Sequence, residues 1–201
     1  MSAPIEFYFD FSSPYGYLAS HKIDALAQKH GRGVDWRPML LGAAFKQSGM
    51  QPLTQIPLKG DYSRNDFLRS ARFHGVDDFH LPSPFPIPTQ AAARIMLSTK
   101  ARDPALAVRV AKALYHAYFA ENRDISSPDT AADAAATTGI DRAAARAAVD
   151  DPAIKEALKR EVDGAIARGV FGSPFIFVDG EPFWGLDRFD QIERWLVTGG
   201  F

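Results

Sequence analysis

Apolar positions change their period along this chain, and each change marks an element. Ile5 to Phe11 is an aromatic-rich run bounded by Pro4 and a serine pair, which predicts a strand. From Pro14 the period lengthens: Ala19, Ile23, Leu26 and Ala27 fall on one helical face, and Gly31 and Gly33 end that helix. Val34 to Met39 predicts a second strand. The opening unit is therefore β-α-β, and crossover handedness makes its strands parallel neighbours or near-neighbours in one sheet. Residues 41–60 hold Gly, Pro, Gln and Lys without a period and predict a loop, whereas Asp61 to Gly75 predicts a helix. The run FHLPSPFPIP, Phe79 to Pro88, carries four prolines and predicts an ordered, aromatic-lined loop or a linker. Neither a regular helix nor a central strand tolerates that density of proline.

From Thr89 to Gly169 the chain is alanine-rich and predicts helix almost throughout. Asp103-Pro104, Ser127-Pro128 and Asp151-Pro152 repeat one grammar, a capping side chain before a proline at the first helical position, where a missing N–H costs nothing. Leu106, Val110, Ala113, Leu114, Ala117 and Tyr118 form an apolar stripe on one of these helices, so it packs inward. After Gly172 the pattern changes again. Phe175 to Val178 predicts a buried strand, Asp179-Gly180 a hairpin turn and Glu181 to Trp184 the returning strand. Asp187 then caps a last helix whose Phe189, Ile192 and Leu196 share a face. The fold class expected is α/β: a thioredoxin-like sheet, β-α-β then β-β-α, interrupted by a large helical insertion. Residues 1–40 and 170–201 would form the sheet domain, and 41–169 the connecting loop and inserted helical domain.

Composition narrows the function. With 46% hydrophobic and 12% aromatic residues, the 201-residue chain can build a packed core and is not disordered. A formal charge of −1 without a polybasic run argues against nucleic acid and anionic membranes as partners. There are no cysteines, which removes disulfides, thiolate metal sites and a cysteine nucleophile together. The N-terminus has no basic region before its short apolar run, and no window approaches the roughly 18 apolar residues of a membrane span, so a soluble cytoplasmic protein is expected. His21, His30, His74, His80 and His116 show no metal-ligand spacing, so no metal is expected.

Ser13-Pro14 follows the cap-plus-proline grammar, and its plain reading is an N-cap. Its place is also where open α/β sheets bind ligands, at the carboxyl edge between the first strand and the first helix, where free N–H groups favour anions. Ser173-Pro174 departs from the grammar because its proline precedes a strand. A strand-opening proline beside that edge raises the expectation of a cis bond above the usual rate of about 5–6%. Asp187 reads either as a second N-cap or as a carboxylate for a ligand's ammonium group, with Gly185 permitting close approach. Asp61, Arg64, Asp66 and Arg69 read as a salt-bridged helix face. Lys46 and Lys59 flank the irregular segment, and either can hold a substrate carboxylate.

FDFSSPYGYL resembles the F-x-D-F-x-C-P-x-C pattern of the DsbA-type thioredoxin superfamily, with Ser13 at the first cysteine position and Gly16 at the second. Together with GSPFIFVDG (Gly172 to Gly180), WGLDRF (Trp184 to Phe189), PLKGDY and SPFPIPTQAAAR, it is similar to the 2-hydroxychromene-2-carboxylate isomerases, relatives of the kappa-class glutathione transferases. The resemblance implies a glutathione-dependent enzyme of aromatic degradation acting on a small aromatic carboxylate, and a homodimer. It implies that Ser13 hydrogen-bonds the glutathione sulfur, that the Ser173 backbone before Pro174 pairs with the cysteinyl part, and that Trp184, Gly185, Leu186 and Asp187 hold the γ-glutamyl end. Leu186 departs from the family, where a polar residue often adds a contact. Lys46 is the cation expected for the substrate carboxylate, and Phe85 an aromatic wall. A free thiol with a pKa of about 8.5 is about 3% ionised at pH 7, and lowering it by about two units gives about 75%. A hydroxyl hydrogen bond and the helix N-terminus together can supply that stabilisation, whereas a cysteine there would invite a mixed disulfide with the cofactor under oxidising conditions. The alternatives are a kappa-like glutathione transferase and a redox-inactive thioredoxin-like binding module.

Overall fold

In the computed structural model, which describes residues 3–201, the chain opens with β1 (Ile5–Phe9), α1 (Pro14–Ser20), α2 (Ile23–Lys29) and β2 (Val34–Pro38). β1 stops at Phe9 rather than Phe11 because the next residue leaves the ladder: the Asp10 N–H donates to Ser173 Oγ at 3.0 Å. The helix expected to run on from Pro14 is two helices. Ser20 Oγ donates to the Tyr17 carbonyl at 2.6 Å, and the N–H groups of His21 and Lys22 bond three residues back, which tightens and ends the turn.

The segment expected to be loop is largely ordered into α3 (Leu41–Ser48) and a 3₁₀ turn (Leu53–Gln55). Leu40 precedes α3 and has no capping side chain, so no local signal announced the helix. Its first N–H, from Leu41, is instead taken by Asp10 Oδ2 at 2.7 Å, a cap supplied from far back in the chain. α4 (Lys59–Phe73) follows as expected. The proline-rich loop is ordered from outside itself: His80 N–H bonds the Phe119 carbonyl at 2.7 Å, and Tyr118 OH bonds the Pro84 carbonyl at 2.9 Å.

α5 (Gln90–Lys100), α6 (Pro104–Phe119), α7 (Pro128–Ala136), α8 (Arg142–Asp150) and α9 (Pro152–Ala167) make up the helical block. Asp103, Ser127 and Asp151 each accept an N–H from the first turn of the helix they precede, as the grammar predicts. Asp141 caps α8 in the same way without a proline. Of the α6 stripe, Val110, Leu114, Ala117 and Tyr118 are buried, while Leu106 and Ala113 remain partly exposed.

β3 (Phe175–Val178) and β4 (Glu181–Trp184) complete a four-stranded sheet of order β2-β1-β3-β4. β1 and β2 run parallel, and the other pairings are antiparallel. A 3₁₀ turn (Leu186–Arg188) leads into α10 (Phe189–Thr198). Asp187 lies inside that turn and makes no cap on α10, so its N-cap reading does not hold. Its carboxylate meets Arg188 at 2.9 Å instead.

Aromatic packing joins the block to the sheet. Phe9 lies 5.3 Å from Trp36 and 5.6 Å from Tyr115 of α6, and Tyr115 in turn meets Phe11 at 5.1 Å. Phe9, Phe11, Trp36 and Tyr115 are each almost fully buried, a burial worth about 1.5–3 kcal/mol per large side chain. Tyr8 points to the opposite face and packs with Phe175, Phe177 and Ala165 of α9. Both faces of the central strand are thus covered, and its carboxyl end lies where the block meets the sheet. Among the described residues no helix is long and apolar enough to cross a membrane.

Candidate active site

The carboxyl end of β1 opens onto a cavity of about 1240 Å³. Its floor is knotted together by Asp10, an acid set between two phenylalanines and almost fully buried. Asp10 Oδ1 accepts from Ser12 N–H (2.7 Å), Ser12 Oγ (2.8 Å) and Thr89 Oγ1 (3.0 Å), while Oδ2 takes Leu41 N–H. Its carbonyl accepts from Tyr115 OH at 2.9 Å. Burial pushes this carboxyl above the usual range, and the hydrogen bonds from Ser12, Leu41 and Thr89 pull it back. One side chain thereby fixes the starts of α3 and α5 around the start of α1. Sequence reasoning left Asp10 without a role, although an acid within Phe-Asp-Phe at a strand end was the available signal.

Ser13 is 4% exposed and does cap α1: its Oγ accepts from Gly16 N–H at 3.0 Å. The same hydroxyl donates its proton to the Ser173 carbonyl at 2.8 Å, 160 residues away. The Ser173-Pro174 bond is cis. Ser173 is 8% exposed, with its own hydroxyl engaged by the Asp10 N–H. Gly16 packs close beneath this pair: a Cβ there would lie 2.7 Å from both Ser173 Oγ and Tyr115 OH. At the second cysteine position of the redox pattern, any side chain would therefore have to displace the Ser173 or Tyr115 hydroxyl.

The second predicted cluster lies along the same cavity, which is lined by Ser173, Pro174 and all of Trp184 to Asp187. Gly185 has φ +114°, a conformation that glycine adopts freely, and its N–H bonds the Pro174 carbonyl at 3.1 Å. Trp184 is half exposed and stands edge-on to Phe171 at 4.8 Å. Leu186 is buried and offers its backbone, whereas the Asp187 side chain is 70% exposed. Lys46 and Phe85 also line the cavity, and Lys59 does not. Phe85 faces Phe67 edge-on at 6.3 Å, which gives the wall its aromatic surface.

Two groups on this wall were not assigned from sequence. Tyr15 OH donates to the Asp66 carboxylate, which also accepts from Arg69 and Ser70. Burial acts to raise Asp66, but the Tyr15 and Arg69 hydrogen bonds outweigh it and hold the carboxyl below its usual range. Burial and the Asp66 carboxylate together push the Tyr15 phenol well up. Asp66 is thus more than part of a solvated helix face: it ties α4 to the first turn of α1. Lys22 and His74 form the other group, with Lys22 Nζ 3.4 Å from His74 Nδ1. Neither pairing could be read from residues fifty positions apart. Among the described residues no cluster of three or more His, Asp or Glu is arranged to hold a metal.

The donor set suits a small peptide thiol. It combines a buried hydroxyl, a carbonyl able to accept an amide N–H, and an acid and bases for a zwitterionic end. Residues 4–197 match the model of the DsbA-like thioredoxin domain. The chain is 30% identical over 199 residues to 2-hydroxychromene-2-carboxylate isomerase of Sphingobium xenophagum, covering 98% of this chain and 100% of that one. It is 26% identical to glutathione S-transferase kappa 1 of Homo sapiens, across 96% of this chain and 92% of the relative. A solved 2-hydroxychromene-2-carboxylate isomerase superposes with a TM-score of 0.84 at 26% identity, over 94% of this chain and 92% of that one. The chain therefore belongs to the DsbA-like thioredoxin domain family, alongside the 2-hydroxychromene-2-carboxylate isomerases and the kappa-class glutathione transferases.

Proposed function

We propose that the protein is a glutathione-dependent isomerase that interconverts 2-hydroxychromene-2-carboxylate and trans-o-hydroxybenzylidenepyruvate, or a close aromatic analogue. The observation that carries this reading is the Ser13 hydroxyl, held at the cavity floor between Gly16 N–H and the Ser173 carbonyl. When bound, glutathione supplies a thiolate that adds reversibly to the conjugated carbon of the substrate, so that the double bond can rotate.

Ser13 has one proton and in this structure gives it to Ser173. Ligand binding exchanges partners: the hydroxyl turns its proton to the sulfur, and the released Ser173 carbonyl accepts the cysteinyl N–H. The number of hydrogen bonds does not fall, so the exchange costs little, and a bond to an ionised sulfur is stronger than the neutral one it replaces. Asp10 holds both serines in register during this exchange: its carbonyl accepts from Ser13 N–H at 2.9 Å, and its N–H donates to Ser173 Oγ. Asp187 takes the γ-glutamyl ammonium. Lys46, at the last turn of α3, takes the substrate carboxylate, and Phe85 and Phe67 wall the aromatic ring.

The relatives named as isomerases support this reading, and the kappa-class relatives support the use of glutathione. The test is ultraviolet absorbance of hydroxychromene carboxylate interconversion with and without glutathione. Turnover that is absent in both conditions, or unaffected by glutathione, sinks the proposal. The human kappa 1 relative, matched along 96% of this chain, favours a transferase as the second reading. Accumulation of a stable thioether in place of an isomer identifies that case.

A further inference from the structure

One end of the cavity carries charges that the isomerisation does not use. Lys22, between α1 and α2, lines it together with Ser70 of α4, His74 just after α4, and Arg188 and Asp190. Lys22 Nζ sits 5.1 Å over the Phe189 ring and 3.4 Å from His74 Nδ1. An ammonium has only donors, so the Nδ1 facing it is the acceptor of a neutral imidazole whose proton is on Nε2. Burial and the Lys22 charge both lower the His74 pKa, with Asp190 opposing them. Asp24, two residues along from Lys22, is engaged by Lys112 at 2.6 Å and by the Trp36 indole at 3.0 Å. Asp187 is engaged by Arg188. Among the described residues Lys22 makes no ion pair, so an ammonium is held over an apolar ring at the border of the cavity without a carboxylate partner.

The neighbouring acid makes the pattern specific. Asp187 lies two residues before Phe189, the ring beneath Lys22, and both charged groups border the same cavity. An anion and a free cation on one wall match a ligand terminus that bears an ammonium and a carboxylate on the same carbon. A simple amine would leave Lys22 unpaired, and a simple acid would leave Asp187 with only Arg188 as its partner. We infer that Lys22, oriented by His74 and Phe189, seats the α-carboxylate at the γ-glutamyl end of glutathione while Asp187 takes the ammonium. This rests on the glutathione reading above. It assigns a specificity for the intact amino-acid terminus to a residue that precedes α2 rather than to the loop after β4 alone.

The experiment is calorimetric titration of the protein with glutathione, with 4-aminobutanoyl-Cys-Gly, which lacks the α-carboxylate, and with glutaryl-Cys-Gly, which lacks the ammonium. A partly exposed charge-assisted hydrogen bond predicts that Lys22→Ala weakens glutathione binding about tenfold and 4-aminobutanoyl-Cys-Gly binding less than about twofold. Glutaryl-Cys-Gly should lose affinity in Lys22→Ala as glutathione does. Lys22→Gln, which keeps the stem over Phe189, should behave as Lys22→Ala does, and thermal melting of both variants checks that they fold. If the variants keep the wild-type preference for glutathione over 4-aminobutanoyl-Cys-Gly, or if Arg188→Ala alone removes it, the assignment of Lys22 is overturned. If wild-type protein binds no glutathione at millimolar concentration, the reading beneath it falls as well.

Discussion

Ser13→Ala separates the two jobs of one hydroxyl. A cap alone predicts a loss of about 1 kcal/mol at most. The structure shows a second bond, the buried donation to the Ser173 carbonyl at 2.8 Å, which is worth about another 1 kcal/mol. The expected destabilisation is therefore about 2 kcal/mol. For a domain of this size it corresponds to a fall of about 4–8 °C in melting temperature. Ser127→Ala is the control, because Ser127 caps α7 through Thr130 N–H alone. It should cost about 1 kcal/mol or less and leave turnover unchanged. Both variants are to be melted under calorimetry and assayed for glutathione-dependent isomerisation. Ser13→Ala should lose about 10- to 1000-fold in turnover, the range for removing one donor at a developing charge. Equal melting shifts in the two variants would refute the cross-chain bond as a stabilising contact. Near-normal turnover in Ser13→Ala would reduce Ser13 to a cap.

Gly16→Ala should destabilise by about 1–3 kcal/mol in urea unfolding, since the added methyl meets Ser173 Oγ and Tyr115 OH at 2.7 Å; an unchanged midpoint would mean that both neighbours yield freely. Lys46→Ala should raise KM for a carboxylate substrate with kcat kept, and Lys59→Ala should not, because Lys46 lines the cavity and Lys59 does not; the reverse outcome moves the carboxylate seat. His21 and His74 are both lowered, first by burial, so the unfolded chain binds their protons more readily than the native state. Their contribution to stability is complete above the ordinary histidine pKa of about 6.5 and is lost as pH falls through their lower native values. A double His→Gln variant should flatten the melting-temperature profile over that window, and an unaltered slope would contradict the assignment.

Most of the architecture was legible because its signals are local. Asp103, Ser127 and Asp151 announce helices by their own side chains, and Asp179-Gly180 announces the β3–β4 hairpin. α3 was not legible because its first N–H is capped by Asp10, some thirty residues earlier. Still longer separations, of 51 and 52 residues, hid the Tyr15–Asp66 and Lys22–His74 contacts, which join α4 and its C-terminal end to the α1 region. Asp187 borders the cavity, but its cap role failed because a 3₁₀ turn feeds directly into α10.

The bond between Ser13 and Ser173 spans 160 residues, and β1, the strand beside it, is interior to the sheet. On a ribosome that interior edge has only β2 to pair with until β3 emerges. At about 5–20 residues per second, the wait is on the order of ten to thirty seconds. Throughout it an aromatic strand carrying Phe7 and Phe9 has one open side, the condition under which nascent chains pair with the wrong partner. The helical block can form meanwhile from local contacts and cover one face of the strand through Tyr115, but it leaves the edge bare. Synthesis of this protein thus leaves a single β-edge unpaired for the time it takes to translate the residues between β2 and β3.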